Sequence, residues 1–174
     1  MVTDLRYPIG QFTYRGPSTH EQRANWIDEI GVAPAQLRRA VQGLTDSQLD
    51  TPYRPGGWTV RQVTHHVPDS HLNAYVRMKL TLTEDRPTIK PYEEKRWAEL
   101  PDARMPIEPS LQLLDALHQR WVTLLRAVDD AGWSRRLYHP EAGELDLAHL
   151  LGMYAWHGKH HVAHITSLRE RNGW

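Results

Sequence analysis

The sequence contains no cysteine. Disulfide bonds are therefore excluded, and so are thiolate metal ligands and a cysteine nucleophile. It also lacks the run of about 18 apolar residues that a membrane-spanning helix needs. The first thirty residues show no apolar segment typical of a secretory signal. These absences predict a cytoplasmic protein that makes no use of a membrane.

An excess of basic residues is missing as well. Lys and Arg number 21, Asp and Glu also number 21, and the formal net charge is zero. Nucleic-acid-binding proteins usually carry a basic excess that displaces counterions from phosphates. We therefore expect a small-molecule partner and no nucleic acid. The length of 174 residues and the 40% hydrophobic content are typical of a globular chain, and we predict one domain spanning 1–174.

Four long segments carry apolar residues at helical spacing. The first begins at a capping-box pattern around Thr19, and Pro34 is expected to break or kink it because proline removes a backbone donor. The second begins after Thr59, which is predicted to cap it, and continues to about Thr83. Pro68 lies inside this second helix and is expected to bend it.

The other two helices follow a long Pro-rich connection over 84–108. Pro109 suits the first turn of the third helix. The segment 131–145 contains glycine and proline and is predicted as a loop, and Asp146 is predicted to cap a fourth helix that reaches about Arg171. The pattern predicts an all-α four-helix bundle, an architecture that builds metal sites between facing helices.

Histidine is abundant and unevenly distributed. Seven of the eleven histidines occupy two short windows, on the second and fourth predicted helices: His65, His66, His71, His157, His160, His161 and His164. Histidines four residues apart lie one turn apart on the same helix face, where two imidazoles can reach one divalent ion. A third imidazole from another helix would give a His₃ centre with an open coordination position, which is typical of catalytic sites.

Periodicity leaves two triads open, each pairing one histidine of the second helix with two of the fourth. The axial triad, close to the apolar stripes, is His71, His157 and His161. The lateral triad, towards the flank, is His66, His160 and His164. A lateral centre would open towards solvent and admit a substrate, which favours the second triad.

Four segments resemble the YfiT group of the DinB-like superfamily of metal-binding four-helix bundles: RYPIG (6–10), PGGWTVRQVTHHVPDSH (55–71), LTEDRPTIKPYEEKRWAELPD (82–102) and WHGKHHVAHI (156–165). The resemblance implies one divalent ion, Zn²⁺ or Ni²⁺, bound by the second histidine of the HH pair and by an H-x-x-x-H pair. Those motif positions correspond to His66, His160 and His164. It also implies a homodimer.

The resemblance further implies a metal-dependent hydrolase that acts through activated water. Relatives that conjugate the thiol bacillithiol to electrophiles suggest an S-transferase as the alternative, and a non-catalytic metal-binding protein is a third hypothesis. Asp69, three residues after His66, is the best local candidate for a general acid or base, but the favoured interpretation is a solvated surface carboxylate. No general acid or base is assigned.

Overall fold

The computed structural model describes residues 4–174. Its long helices are α1 (His20–Val41), α3 (Val60–Thr83), α5 (Glu108–Arg126) and α7 (Leu147–Asn172). Its short elements are α2 (Asp46–Leu49), α4 (Glu94–Trp97), a 3₁₀ turn (Pro101–Arg104), α6 (Asp130–Trp133), β1 (Arg136–His139) and β2 (Gly143–Asp146). Helices α1 and α3 each pack against both α5 and α7. The predicted four-helix bundle is therefore confirmed, and its only sheet among the described residues is one small hairpin.

The helix starts lie where the capping residues predicted them. The Thr59 hydroxyl accepts a hydrogen bond from the Gln62 amide at 3.1 Å, and the Gln62 side chain accepts one from the Thr59 amide at 3.0 Å. Asp146 accepts from the amide of His149 at 2.6 Å. These bonds satisfy amides that the first helical turn leaves without partners. They fix where α3 and α7 begin, and hence which faces of these two helices meet.

Helix α1 runs without interruption through Pro34, so the predicted break is wrong. The residue is buried, and packing of α1 against α5 and α7 outweighs the lost hydrogen bond. The carbonyl of Ile30, which would normally accept from the amide of residue 34, accepts instead from Nδ1 of His118 at 2.6 Å. Helix α3 likewise continues through Pro68.

The predicted loop over 131–145 is also corrected. It contains α6 and the antiparallel hairpin, in which Arg136 pairs with Asp146 and Leu137 with Leu145. Each strand has only four residues, and Leu137 is the one fully buried side chain among them. Strands this short leave too little alternation for a sequence pattern to reveal.

The core lies between the long helices in two clusters, one at each end of the bundle. Trp121 on α5 is completely buried in the first cluster, and Leu114 on the same helix is buried in the second. A membrane-spanning helix is not found among residues 4–174, since none there combines the necessary length with sufficient apolar character.

Candidate metal centre

Three histidines converge from two facing helices. His66 lies on α3, and His157 and His161 lie one turn apart on α7. Each offers one ring nitrogen, and the three nitrogens all lie within 4.8 Å of one another. Nε2 of His157 and Nε2 of His161 face each other at 3.2 Å. The ring centroid of His66 is 5.4 Å from that of His157 and 4.8 Å from that of His161. We call these three residues the His₃ group.

Close packing of α7 brings the His₃ group together. Gly158, next to His157, is buried, and a Cβ atom added there would lie 3.2 Å from Cβ of Ala33 on α1. The same added atom would lie 3.5 Å from the ring of His71 on α3. Glycine at this position therefore lets α7 approach both neighbouring helices where the imidazoles meet.

Aromatic side chains surround the His₃ group. The ring centroid of Trp58, a half-buried residue just before α3, lies 4.6 Å from His66 and 6.4 Å from His161. Tyr154, one turn before His157 on α7, lies 5.5 Å from that histidine. Both aromatic rings remove the imidazoles from water on the sides that they cover.

Burial keeps the His₃ group neutral. Loss of solvation lowers the pKa of His66 to about 4. The pKa values of His157 and His161 fall well below the usual value, chiefly because the rings lose solvent and also because other imidazoles lie close. Neutral imidazole is the form that binds metal ions, so little proton displacement would be needed near pH 7.

The donor set fits a divalent ion of the late first transition row. Three imidazole nitrogens suit Zn²⁺ and Ni²⁺ better than Mg²⁺ or Ca²⁺, which prefer oxygen. The Nδ1 atom of His161 is buried without a hydrogen-bond partner among residues 4–174, so the described protein does not orient this ring from the side that faces away from the group. Three protein ligands are also the number found in catalytic zinc sites.

His160 and His164 lie outside the His₃ group and face the N-terminal arm. The ring of His160 stacks on Trp156 at 4.3 Å. His164 stacks on Tyr53 at 4.0 Å, and its Nε2 donates to the carbonyl of Arg6 at 3.1 Å. The two ring centroids lie 4.2 Å apart, and the Nδ1 atoms of both are buried without partners among the described residues. Of the triad implied by the resemblance, only His66 belongs to the group that the structure assembles.

The remaining clustered histidines form hydrogen bonds elsewhere. His65 turns away from the His₃ group, because its Nε2 donates to the carbonyl of Met105 at 3.0 Å and its Nδ1 lies 2.7 Å from the hydroxyl of Ser110. His71 is fully buried and contacts His157, with 3.1 Å between Nε2 of His71 and Nδ1 of His157. The group thus combines one member of the lateral triad with two of the axial triad.

Sequence reasoning missed Trp58, which contacts the group, and His118, which is connected to it through His71. His118 lies on α5, outside both histidine windows, and its Nε2 lies 2.8 Å from Nδ1 of His71. A signal for it did exist, since His118 follows Leu114 by four residues and precedes Trp121 by three, on the buried stripe of α5. Nothing in the pattern distinguished Trp58 from an ordinary packing residue.

Asp69 is less exposed than the sequence suggested. Burial, with a smaller contribution from the charge of Asp102, raises the pKa of the Asp69 carboxyl to about 6. Asp69 is therefore only partly a solvated surface group.

Comparison with known proteins places the chain in a family. The model of the DinB superfamily matches residues 29–165. The chain belongs to the DinB superfamily. A member from Bacillus mycoides, named as a candidate metal-dependent hydrolase, is 60% identical over 99% of this chain and 100% of its own length. A Bacillus cereus protein with the same designation is 58% identical over the same shares of both chains.

Two solved structures agree with the fold of this DinB-superfamily chain. YfiT from Bacillus subtilis, described as a candidate metal-dependent hydrolase with an unusual four-helix bundle topology, is 51% identical, with a TM-score of 0.95 over 98% of both chains. The four-helix bundle protein TT2238 is 20% identical, with a TM-score of 0.57 over 80% of this chain and 94% of its own. This second likeness supports the fold alone.

Proposed function

We propose that this protein is a metal-dependent hydrolase whose divalent ion is bound by His66, His157 and His161. The observation that carries the proposal is the convergence of three neutral imidazoles from two helices within 4.8 Å. The designations of the Bacillus relatives support the reaction class. Zn²⁺ is the ion that we expect first and Ni²⁺ second, since imidazole suits both.

The residues of the site have distinct tasks in this proposal. The three imidazoles bring no negative charge to the centre, so they hold a cation without neutralising it. Trp58 and Tyr154 cover the rings and exclude water from parts of the group. When bound, a divalent ion of this kind supplies Lewis acidity and activates water near neutral pH. With three protein ligands, the centre leaves room for a substrate or water.

The ligand assignment is tested by measuring the zinc content of His157→Ala and His160→Ala. The two residues lie on the same helix three positions apart, so His160→Ala is a matched control for loss of an imidazole from α7. We expect wild type and His160→Ala to retain one zinc ion per chain after gel filtration, and His157→Ala to lose it. Loss in His160→Ala with retention in His157→Ala would refute our assignment and support His66, His160 and His164 instead.

The reaction class is tested by comparing zinc-loaded and chelator-treated protein on a panel of esters and amides. We expect hydrolysis only from the loaded protein, with the helical circular dichroism unchanged by chelation. Because the chain has no cysteine, thiol transfer would need a thiol as co-substrate. Zinc-dependent conjugation of bacillithiol to an electrophile, without hydrolysis, would replace the proposal by the S-transferase alternative. Bound zinc without either activity would support a non-catalytic metal-binding protein.

A further inference from the structure

A line of hydrogen bonds crosses the bundle and ends at the proposed centre. It begins at the carbonyl of Ile30 on α1, which lies 2.6 Å from Nδ1 of His118 on α5. Nε2 of His118 lies 2.8 Å from Nδ1 of His71 on α3. Nε2 of His71 in turn lies 3.1 Å from Nδ1 of His157 on α7. One residue from each long helix therefore takes part.

The Ile30 carbonyl determines which nitrogen donates in each of these hydrogen bonds. A carbonyl oxygen can only accept, so Nδ1 of His118 must donate to Ile30. A neutral imidazole has one donor and one acceptor, which makes Nε2 of His118 an acceptor and Nδ1 of His71 its donor. The same rule makes Nε2 of His71 an acceptor for the Nδ1 proton of His157. His157 is then left with an unprotonated Nε2.

Pro34 explains why the Ile30 carbonyl is available to start the line. In a continuous helix this oxygen would accept from the amide of the residue four positions later, but proline has no amide proton. The donor that the backbone lacks is replaced by His118. Both His71 and His118 are at most 2% exposed, and their bonds here go to a carbonyl or another imidazole.

We propose that His71 and His118 are positioning residues that fix the tautomer of His157, so that its Nε2 lone pair faces the His₃ group. This inference rests on the proposed metal centre. The contrast within the group supports it, because Nδ1 of His161 is buried without a partner in the described part of the chain, whereas Nδ1 of His157 has one in His71. Across the 3.2 Å contact between the two Nε2 atoms, His157 accepts and His161 donates in the metal-free protein.

The tautomers can be read directly from long-range ¹H–¹⁵N spectra of metal-free protein labelled at histidine. We expect His118, His71 and His157 to carry their protons at Nδ1, and His161 to carry its proton at Nε2. A proton at Nε2 of His157 would overturn the proposal. This measurement does not depend on zinc, so it decides the direction of the line even if the proposed function fails.

The consequence for the metal is tested by zinc titration against a competing chelator. His118→Leu removes the hydrogen bonds to the Ile30 carbonyl and to His71. The affinity for zinc should then fall about 10- to 100-fold, as it does when other residues that orient metal ligands are replaced. His118→Gln, which offers both a donor and an acceptor, should recover part of this loss. Trp121→Phe is the packing control, since the Trp121 ring contacts the rings of His71 and His118 but forms none of the hydrogen bonds of the line. It should lower stability and leave both tautomer and affinity unchanged.

Two results would refute the positioning role. One is an affinity in His118→Leu within twofold of wild type, and the other is an equal loss in Trp121→Phe, which would indicate general loosening. If wild type binds no zinc at all, the proposed function fails, and the role of the two histidines towards a metal fails with it. If wild type binds zinc and His118→Leu binds it with the same affinity, the positioning role is wrong and the proposed metal centre is unaffected.

Discussion

Buried imidazoles should make the metal-free protein sensitive to mild acid. Burial lowers the pKa values of His66, His118 and His160 to about 4, whereas histidine in an unfolded chain titrates near 6.5. Between these values the unfolded state binds more protons than the folded state, so the free energy of unfolding falls as the pH falls. The full stability is therefore present above about pH 6.5, and the part that depends on neutral imidazoles is lost progressively as the pH falls towards 4.

The amount of stability lost depends on how far burial lowers each histidine pKa. The pH of 5 is about 1.5 units below the pKa of histidine in the unfolded chain. At that pH each of these three rings lowers the free energy of unfolding by about 2 kcal/mol relative to neutral pH. The pKa values of His71, His157 and His161 are shifted in the same direction and add to the loss. The raised pKa of Asp69 acts in the opposite direction and offsets part of it. An ordinary domain has only about 5–15 kcal/mol of stability in total. We therefore expect the metal-free chain to lose most of its stability between pH 7 and pH 5.

The assay is urea unfolding followed by tryptophan fluorescence at several pH values, in the presence of a chelator. His118→Phe removes one buried titrating ring, so its loss between pH 7 and pH 5 should be smaller by about 2 kcal/mol than that of wild type. Replacement of the exposed His20 by Asn is the matched control and should keep the wild-type pH dependence. Stability that stays constant over this range, or an equal loss in His118→Phe, would refute the reasoning.

Two further predictions concern the packing and the start of the helices that carry the site. Gly158→Ala should destabilise the fold by about 1–3 kcal/mol, because its Cβ would lie 3.2 Å from that of Ala33. Ala33→Gly in the same chain should recover part of this loss in urea unfolding, and a tolerated Gly158→Ala would contradict the close approach. Thr59→Ala should lower the free energy of unfolding by about 1 kcal/mol, because it removes the hydroxyl that caps α3. Thr59→Ser keeps a hydroxyl and should retain most of the wild-type stability. Equal stability of the Ala and Ser variants would show that the cap contributes nothing.

The helices were predictable because their signals are local. The caps at Thr59 and Asp146 act within one turn, and the structure has both at their predicted places. The predicted break at Pro34 is wrong for the complementary reason. Its cost to the helix is also local, but the compensation comes from packing on α5 and α7 and from the ring of His118, which lies 88 residues after Ile30 in the chain.

The choice among histidines also lay beyond periodicity. Rings at positions 157, 160, 161 and 164 span adjacent faces of α7, and a small rotation of that helix decides which pair meets His66. The rotation is set by contacts such as Gly158 against Ala33, which no spacing along α7 encodes. Periodicity left two triads open, and the family resemblance selected His66, His160 and His164, whereas the packing of the structure brings His157 and His161 to His66.

The distribution of satisfied and unsatisfied imidazole nitrogens argues for a ligand at one end of the cluster. Deep in the bundle, both nitrogens of His71 and of His118 have partners, as buried polar groups generally do. Along α7 this satisfaction stops, because Nδ1 of His160, His161 and His164 are buried without hydrogen-bond partners among residues 4–174. Leucine or phenylalanine would fill the same volume without leaving polar atoms unpaired or making the fold sensitive to acid. Departures from polar satisfaction in native proteins concentrate at functional sites, and here they lie along α7, within the His₃ group at His161 and beside it at His160 and His164.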